Sequence, residues 1–225
     1  MRALVLADGA SSPREALDVA WPGWDRDIEL VVAADGGAHV GADLGIAIDA
    51  WIGDGDSLAE SDREALALAG VPMLVAPVEK DESDTELAVR EAVQRGATDV
   101  TILGALGGIR HDHALANVAL LAHRSLEDRA ARLLDASARV SLLVGGTARA
   151  SLQLGGRVGD VVTLLPLGGS VDGVTVSGLA YPLTRERLEA GSTRGLSNVR
   201  TAQTARIRIE TGWLLVVETP ATLSA

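Results

Sequence analysis

The sequence predicts the α/β class: an N-terminal doubly wound, mostly parallel sheet domain over residues 1–136, then a C-terminal antiparallel β-sandwich domain over 137–225. Three observations predict it. Up to about Ala136, short apolar β-branched runs alternate with stretches of helical periodicity. Beyond it, strand-like runs follow one another between glycine pairs. In the first part, the acidic residues fall just after the strand-like runs, where the loops of a parallel sheet meet.

In chain order, strands are expected at Ala3–Ala7, Leu30–Ala34, Ala50–Ile52, Val71–Ala76 and Val100–Leu103. A helix is expected over Asp84–Arg95, with Leu87, Ala88, Ala92 and Val93 near one face and Gly96 as its stop. Ser83 and Glu86 have the spacing of a capping box at its start. A second helix follows Asp112, where Leu115, Val118, Ala119 and Ala122 recur at helical spacing. In the second domain, strands are expected at Arg139–Val144, Ala150–Leu154, Val161–Leu165, Val171–Val176, Ala205–Ile209 and Trp213–Val217, with a turn near Arg185–Ala190.

Composition narrows the function. There is no Phe, one Tyr and four Trp, so Val, Leu, Ile and Ala must build the core. A net charge of −11 argues against a nucleic-acid partner, because phosphate backbones select basic surfaces. The absence of cysteine excludes disulfides, zinc-thiolate sites and thiol chemistry. The first apolar run is too short for a signal peptide and ends at Asp8, and no stretch approaches the ~20 apolar residues of a membrane span. A cytoplasmic protein without a membrane partner is the expectation.

Four loops would converge in one cleft: the segments around Asp35, around Asp54 and Asp56, from Lys80 to Thr85, and from Gly107 to His113. So many carboxylates cannot stay ionised together without a counter-charge. A hard divalent cation supplies one, and Mg²⁺ prefers a few carboxylates plus substrate phosphates. Asp54, Asp56 and Asp84 are the expected metal ligands, with Lys80 and Arg110 neutralising phosphate charge. Asp112 could cap its helix, bind a nucleotide hydroxyl or take the proton of an attacking alcohol. Each piece has an ordinary reading too. Asp8-Gly9 reads as a turn, Asp84 and Asp112 as helix caps, and His39 and His123 as surface helix residues. His111 and His113 form an H-x-H pair with no third zinc ligand after it. Neither a Walker loop nor a Gly-x-Ser-x-Gly elbow is present.

The segments Asp35–Ala38, Gly53–Ser57, Lys80–Ala88 and Gly107–Asn117, with Ser177–Leu183 and Gly195–Asn198 later, resemble the motifs of the thiamine pyrophosphokinase (thiamine diphosphokinase) family. That resemblance implies a homodimer with its active site between subunits. It also implies transfer of pyrophosphate from ATP to thiamine, giving AMP and thiamine diphosphate with Mg²⁺. It assigns Asp54, Asp56 and Asp84 to the metal. Asp35, Lys80, Asp81, Thr85, Arg110 and Asp112 go to the nucleotide and phosphate path, and Ser197, Asn198 and Tyr181 to thiamine. Gly55, Ser83, Ala180 and Tyr181 depart from the residues common in the family, which are an aromatic, Thr, Lys and Trp. The alternatives are a pyrophosphokinase for another small alcohol, such as a hydroxymethyl pterin, or a non-catalytic protein that binds nucleotide or thiamine.

Overall fold

The computed structural model describes residues 1–55 and 57–223, which form two compact units. Asp56 therefore lies outside the described residues. The first unit comprises Met1–Leu17 and Gly23–Asp135, and the second comprises Asp18–Pro22 and Ala136–Ala225.

The first unit holds six parallel strands: β1 (Arg2–Leu6), β2 (Leu30–Ala34), β3 (Ala50–Gly53), β4 (Met73–Val75), β5 (Asp99–Leu103) and β6 (Ala130–Asp135). Their spatial order is β6-β5-β1-β2-β3-β4. The chain starts at β1, winds outward to β4, then returns to the other side of β1. The winding direction therefore reverses between β1 and β5, which places the binding crevice of such a sheet at their carboxyl ends. Helices α1 (Arg14–Ala20), α2 (Gly37–Leu44), α3 (Glu60–Leu68), α4 (Asp84–Gln94) and α5 (His111–Leu120) occupy the connections.

Local chemistry explains several of these. In α4, Ala88, Val89 and Ala92 are buried against β1, β2 and β3. Ser83 accepts a hydrogen bond from the Glu86 N–H at 3.1 Å, the cap that the S-x-x-E spacing predicts. The helix ends at Gln94, one residue earlier than its periodicity predicts, with Arg95 as its C-cap before Gly96 at φ 99°. By contrast, α3 has no buried residue and leaves Leu68 89% exposed. Strand β2 is buried at every position, as a central parallel strand must be.

The second unit is a sandwich of two antiparallel sheets. Strands β7 (Ala138–Val144), β9 (Val161–Pro166), β12 (Asn198–Val199) and β14 (Trp213–Thr219) form one, in the order β12-β9-β14-β7. Strands β8 (Ser151–Gly155), β10 (Val171–Ser177), β11 (Leu183–Leu188) and β13 (Thr204–Arg208) form the other, in the order β11-β10-β13-β8. Leu143, Val162, Leu164, Leu214 and Val216 from the first sheet pack with Leu154, Val174, Val176, Ala205 and Ile207 from the second. The alternation of buried and exposed residues in β13 is the period-2 pattern of a strand with one face in the core.

Several sequence expectations are corrected. The turn expected near Arg185–Ala190 is largely strand β11, an edge strand whose charged side chains face water and whose pairing with β10 is irregular. Strand β6 belongs to the parallel sheet although its run was not singled out. Asp112 is not the cap of α5: Arg110 holds that position, and Asp112 sits in the first turn. His123 precedes the short turn Arg124–Leu126, and its Nδ1 accepts the Ser125 N–H at 3.2 Å. No helix among the described residues is long and apolar enough to cross a membrane.

Candidate active site

The loops that follow β1 and β5 cross backbone to backbone. The Gly9 N–H donates to the Gly104 carbonyl at 2.9 Å, and a Cβ at Gly9 would stand 2.2 Å from that oxygen. Gly104 itself adopts φ 68°, where L side chains are strained. This crossing floors a cleft of about 530 Å³ at the reversal point of the sheet, walled by Asp8, Asp35, Asp84, Thr85, Arg110 and Asn117 among others.

Asp35 is held on every side by its backbone and its burial. Its φ of 48° is left-handed, a conformation that Asp tolerates better than most residues. Its N–H donates to the Ile52 carbonyl at 2.8 Å, and its own carbonyl accepts the buried Trp51 indole N–H at 2.9 Å. The residue is 8% exposed, and carboxylate Oδ1 has no hydrogen-bond partner among the described residues. Burial pushes its carboxyl above the usual range. A hydrogen bond from Ser57 opposes this, while Asp84, Asp8 and Asp54 add to the rise.

Lys80 is the cation among these acids. Its Nζ lies 3.1 Å from Asp84 Oδ1 and 3.8 Å from Asp54 Oδ2, with 12% of its side chain exposed. Burial works against its charge, yet Asp84, Asp54 and Asp35 outweigh burial and hold the ammonium above its ordinary value. Asp35, Asp54, Lys80 and Asp84, from three separate loops, are thus one electrostatic group. Asp81 is exposed and does not line the cleft.

Arg110 and Asp112 stand apart from that group, both exposed. The guanidinium forks onto the carboxylate, Nε to Oδ1 at 2.9 Å and Nη2 to Oδ2 at 2.6 Å. The fork holds the Asp112 carboxyl far below the usual carboxylate range. Arg110 lines the cleft, and Asp112 does not.

Sequence reasoning missed Asp8, read there as a turn. Its carboxylate packs so close to Gly36 that a Cβ there would fall 2.0 Å from Oδ1. It acts on Asp35 through charge. Its one available signal was position: it follows β1, as Asp35 and Asp54 follow β2 and β3. Asn117 also lines the cleft, its Nδ2 donating to the Ala105 carbonyl at 3.0 Å.

Among the described residues, no three His, Cys, Asp or Glu side chains are gathered tightly enough to form a metal cage. The donor set nevertheless fits Mg²⁺, which dehydrates reluctantly and needs only a few carboxylates beside waters and phosphates. The buried Asp35 oxygen, without a hydrogen-bond partner among the described residues, is an acceptor that a metal-bound water would satisfy.

The second unit has a pocket of its own, about 400 Å³, lined by Leu164, Tyr181, Pro182, Leu183, Arg194, Leu196 and Asn198 among others. Tyr181 is 70% exposed rather than buried, so its ring is presented at the surface. Ser197 adopts φ 56°, and its N–H donates to Thr163 Oγ1 at 3.0 Å. Ser197 is not part of the pocket lining, whereas Asn198 and Tyr181 are.

Comparison with known proteins divides the chain similarly. Residues 24–132 match a family model described as thiamin pyrophosphokinase, catalytic domain, and residues 151–215 match one described as thiamin pyrophosphokinase, vitamin B1 binding domain. A thiamine pyrophosphokinase of Bacillus subtilis (strain 168) is 28% identical over 176 residues, which is 78% of this chain and 80% of that protein. The crystal structure of thiamine pyrophosphokinase from Bacillus subtilis has a TM-score of 0.80 at 23% identity, covering 98% of this chain and 99% of the other. That of the thiamin pyrophosphokinase from Geobacillus thermodenitrificans has a TM-score of 0.78 at 26% identity, covering 97% of each. The yeast thiamin pyrophosphokinase structure has a TM-score of 0.74 at 15% identity, covering 98% and 87%.

Proposed function

The chain belongs to the thiamin pyrophosphokinase family, and from that premise we propose that it transfers the pyrophosphoryl group of ATP to the hydroxyl of thiamine, with Mg²⁺, releasing AMP and thiamine diphosphate. It is an enzyme, a thiamine diphosphokinase. The observation that carries the reading is the convergence of Asp35, Asp54 and Asp84 on Lys80 beside a glycine-floored cleft. In our reading residues 1–136 bind nucleotide and perform the chemistry, and residues 137–225 bind thiamine in the pocket beside Tyr181.

In the reaction, thiamine's hydroxyl oxygen forms a bond to the β-phosphorus of ATP. The bond from that phosphorus to the α–β bridging oxygen breaks, AMP departs with the electron pair, and the hydroxyl proton is lost to solvent. Little covalent help is required of the protein, whose task is to align the reactants and offset charge. Lys80 supplies a fixed positive charge to the phosphates. Arg110 reaches them from the rim by exchanging part of its fork on Asp112 for phosphate oxygens, the same planar geometry. A carboxylate held as firmly ionised as Asp112 is a weak base, so its service is to orient Arg110 rather than to take the hydroxyl proton. Thr85 and Asn117 line the path with polar groups. Asp54 and Asp84, with Asp56 two positions after Asp54 in the sequence, would hold the Mg²⁺, which neutralises phosphate charge when bound. Asp35 lies beside them.

A homodimer accords with the exposed Ile109, just before α5, and Leu115 within it, apolar side chains that a second copy could cover. Sedimentation of the purified protein would report the mass. The reaction would run in the cytoplasm, where ATP is supplied.

Product analysis tests the whole proposal. Purified protein with ATP, Mg²⁺ and thiamine should yield AMP and thiamine diphosphate in equal amounts. ADP with thiamine monophosphate would overturn it, as would a different alcohol being the only acceptor that turns over.

A further inference from the structure

The family resemblance assigns Asn198 to thiamine, but its polar atoms are engaged elsewhere. Oδ1 accepts the N–H of Tyr181 and the N–H of Val199, each at 2.9 Å, and Nδ2 donates to the Tyr181 carbonyl at 2.7 Å. The amide orientation follows from this pattern, because a flipped amide would set donor against two donors and acceptor against a carbonyl. Both carbonyl lone pairs are thereby used, and the residue is 7% exposed.

We propose that Asn198 is a positioning residue, which holds the Tyr181 segment as one wall of the pocket so that thiamine meets the Tyr181 ring and not the Asn198 amide. The proposal rests on the reading of that pocket as the thiamine site.

The surrounding backbone shows why this wall needs a clamp. On one side the Gly195–Asn198 segment is fastened to β9. The Leu164 N–H donates to the Gly195 carbonyl at 2.8 Å, and Asn198 pairs with Val162. On the other side Tyr181 lies in the connection after β10, in the opposite sheet, with 70% of its surface in water. The Ala180 N–H donates to the Val199 carbonyl at 2.8 Å, and beyond that contact the Tyr181 backbone is held by Asn198. The clamp therefore joins the two sheets at the mouth of the pocket. An exposed aromatic ring presents a stacking face at low entropic cost only when its backbone is fixed.

Tyr181 is the only tyrosine in the chain. Protein labelled with 3-fluorotyrosine thus gives one ¹⁹F resonance, a reporter of this wall. Asn198→Ala should shift or broaden that resonance in the free protein, before any thiamine is added. It should also raise the KM for thiamine about tenfold, with kcat and the KM for ATP within about twofold of wild type. A general loss of structure would not give that split. A free-protein resonance that coincides with wild type would overturn the proposal, because a direct ligand would alter only the bound state. Should Asn198→Ala fail to fold, the ¹⁵N signal of the Asn198 side-chain amide in wild type decides. It keeps its position at saturating thiamine if Asn198 positions Tyr181, and it moves strongly if Asn198 binds the ligand. A wild-type Tyr181 resonance that ignores saturating thiamine would instead refute the pocket as the thiamine site.

Discussion

Asp35 shows how a single residue can trade stability for function. Its carboxyl is buried, faces three other acids and leaves one oxygen without a hydrogen-bond partner among the described residues. An acid whose folded pKa exceeds its unfolded value binds more protons in the folded state. Folding stability then falls as pH rises from the ordinary aspartate value of 3.8 through the raised folded value, and the penalty is complete above that. Asp35→Asn removes the charge and keeps the shape. In urea unfolding the variant should be more stable than wild type at pH 7, with the difference closing as pH approaches 3, while turnover is almost abolished. Lower stability of the variant at pH 7 would mean that the Ser57 hydrogen bond outweighs burial. The same residue marks the limit of what sequence reading can reach. Asp35, Asp54 and Asp84 are legible because each follows a strand of a parallel sheet. Asp8 obeys the same rule, but an Asp-Gly pair is so often a turn that the position alone did not single it out. That Asn198 spends its amide on Tyr181 could not be read at all, because it depends on two segments seventeen positions apart meeting across two sheets.

Among the elements, the helices of the first unit differ in what holds them. Helix α4 buries three side chains and packs against three strands. Helix α3 buries none. Its ties include the His39 Nε2–Asp62 Oδ2 contact at 3.1 Å and the Arg63 hydrogen bonds to the Leu58 carbonyl. Opening free energies follow such differences. Amide hydrogen exchange should therefore be at least tenfold faster in α3 than in the core of α4, and comparable protection would show that α3 is held by more than these contacts. The contrast bears on function, since α3 follows directly on the loop that carries Asp54. The legibility of elements has the same physical origin. Strand β2 and helix α4 were evident because burial imposes a full apolar run on one and a capped, one-faced period on the other. Strand β11 reads Leu-Thr-Arg-Glu-Arg-Leu and lies at a sheet edge, where water accepts charged side chains and the hydrophobic signal fades. Strand β6 has little beyond Leu133 and Leu134 to announce it.

For the whole molecule, the second unit depends on charge sealed inside its sandwich. Arg200 is fully buried. Its Nη2 donates to Glu218 in β14 at 2.8 Å, and its Nη1 donates to the Leu154 carbonyl in β8 at 2.9 Å, so one side chain spans both sheets. Arg139 forks onto the same Glu218 at 2.7 and 2.9 Å. Removing one partner of a buried pair is costly because the remaining charge stays desolvated. Arg200→Met should destabilise the second unit by about 3 kcal/mol. Because each unit has its own core, we expect thermal unfolding of the variant to separate into two steps. One transition at the wild-type midpoint would show that Arg200 carries no such weight.

The second unit also borrows Asp18–Pro22 from near the start of the chain. Trp21, 7% exposed, lies under the Arg139 guanidinium at 4.7 Å, and the Ala20 carbonyl accepts from Arg157, 137 positions later. On the ribosome this short stretch emerges before its partners and must wait for them. At roughly 5–20 residues per second the delay is on the order of ten seconds. During that interval Trp21 lacks the Arg139 guanidinium that covers it in the finished sandwich. Strand β7 and the connection between β8 and β9 must therefore find a segment made well before them, so the timing of translation becomes part of how this enzyme is assembled.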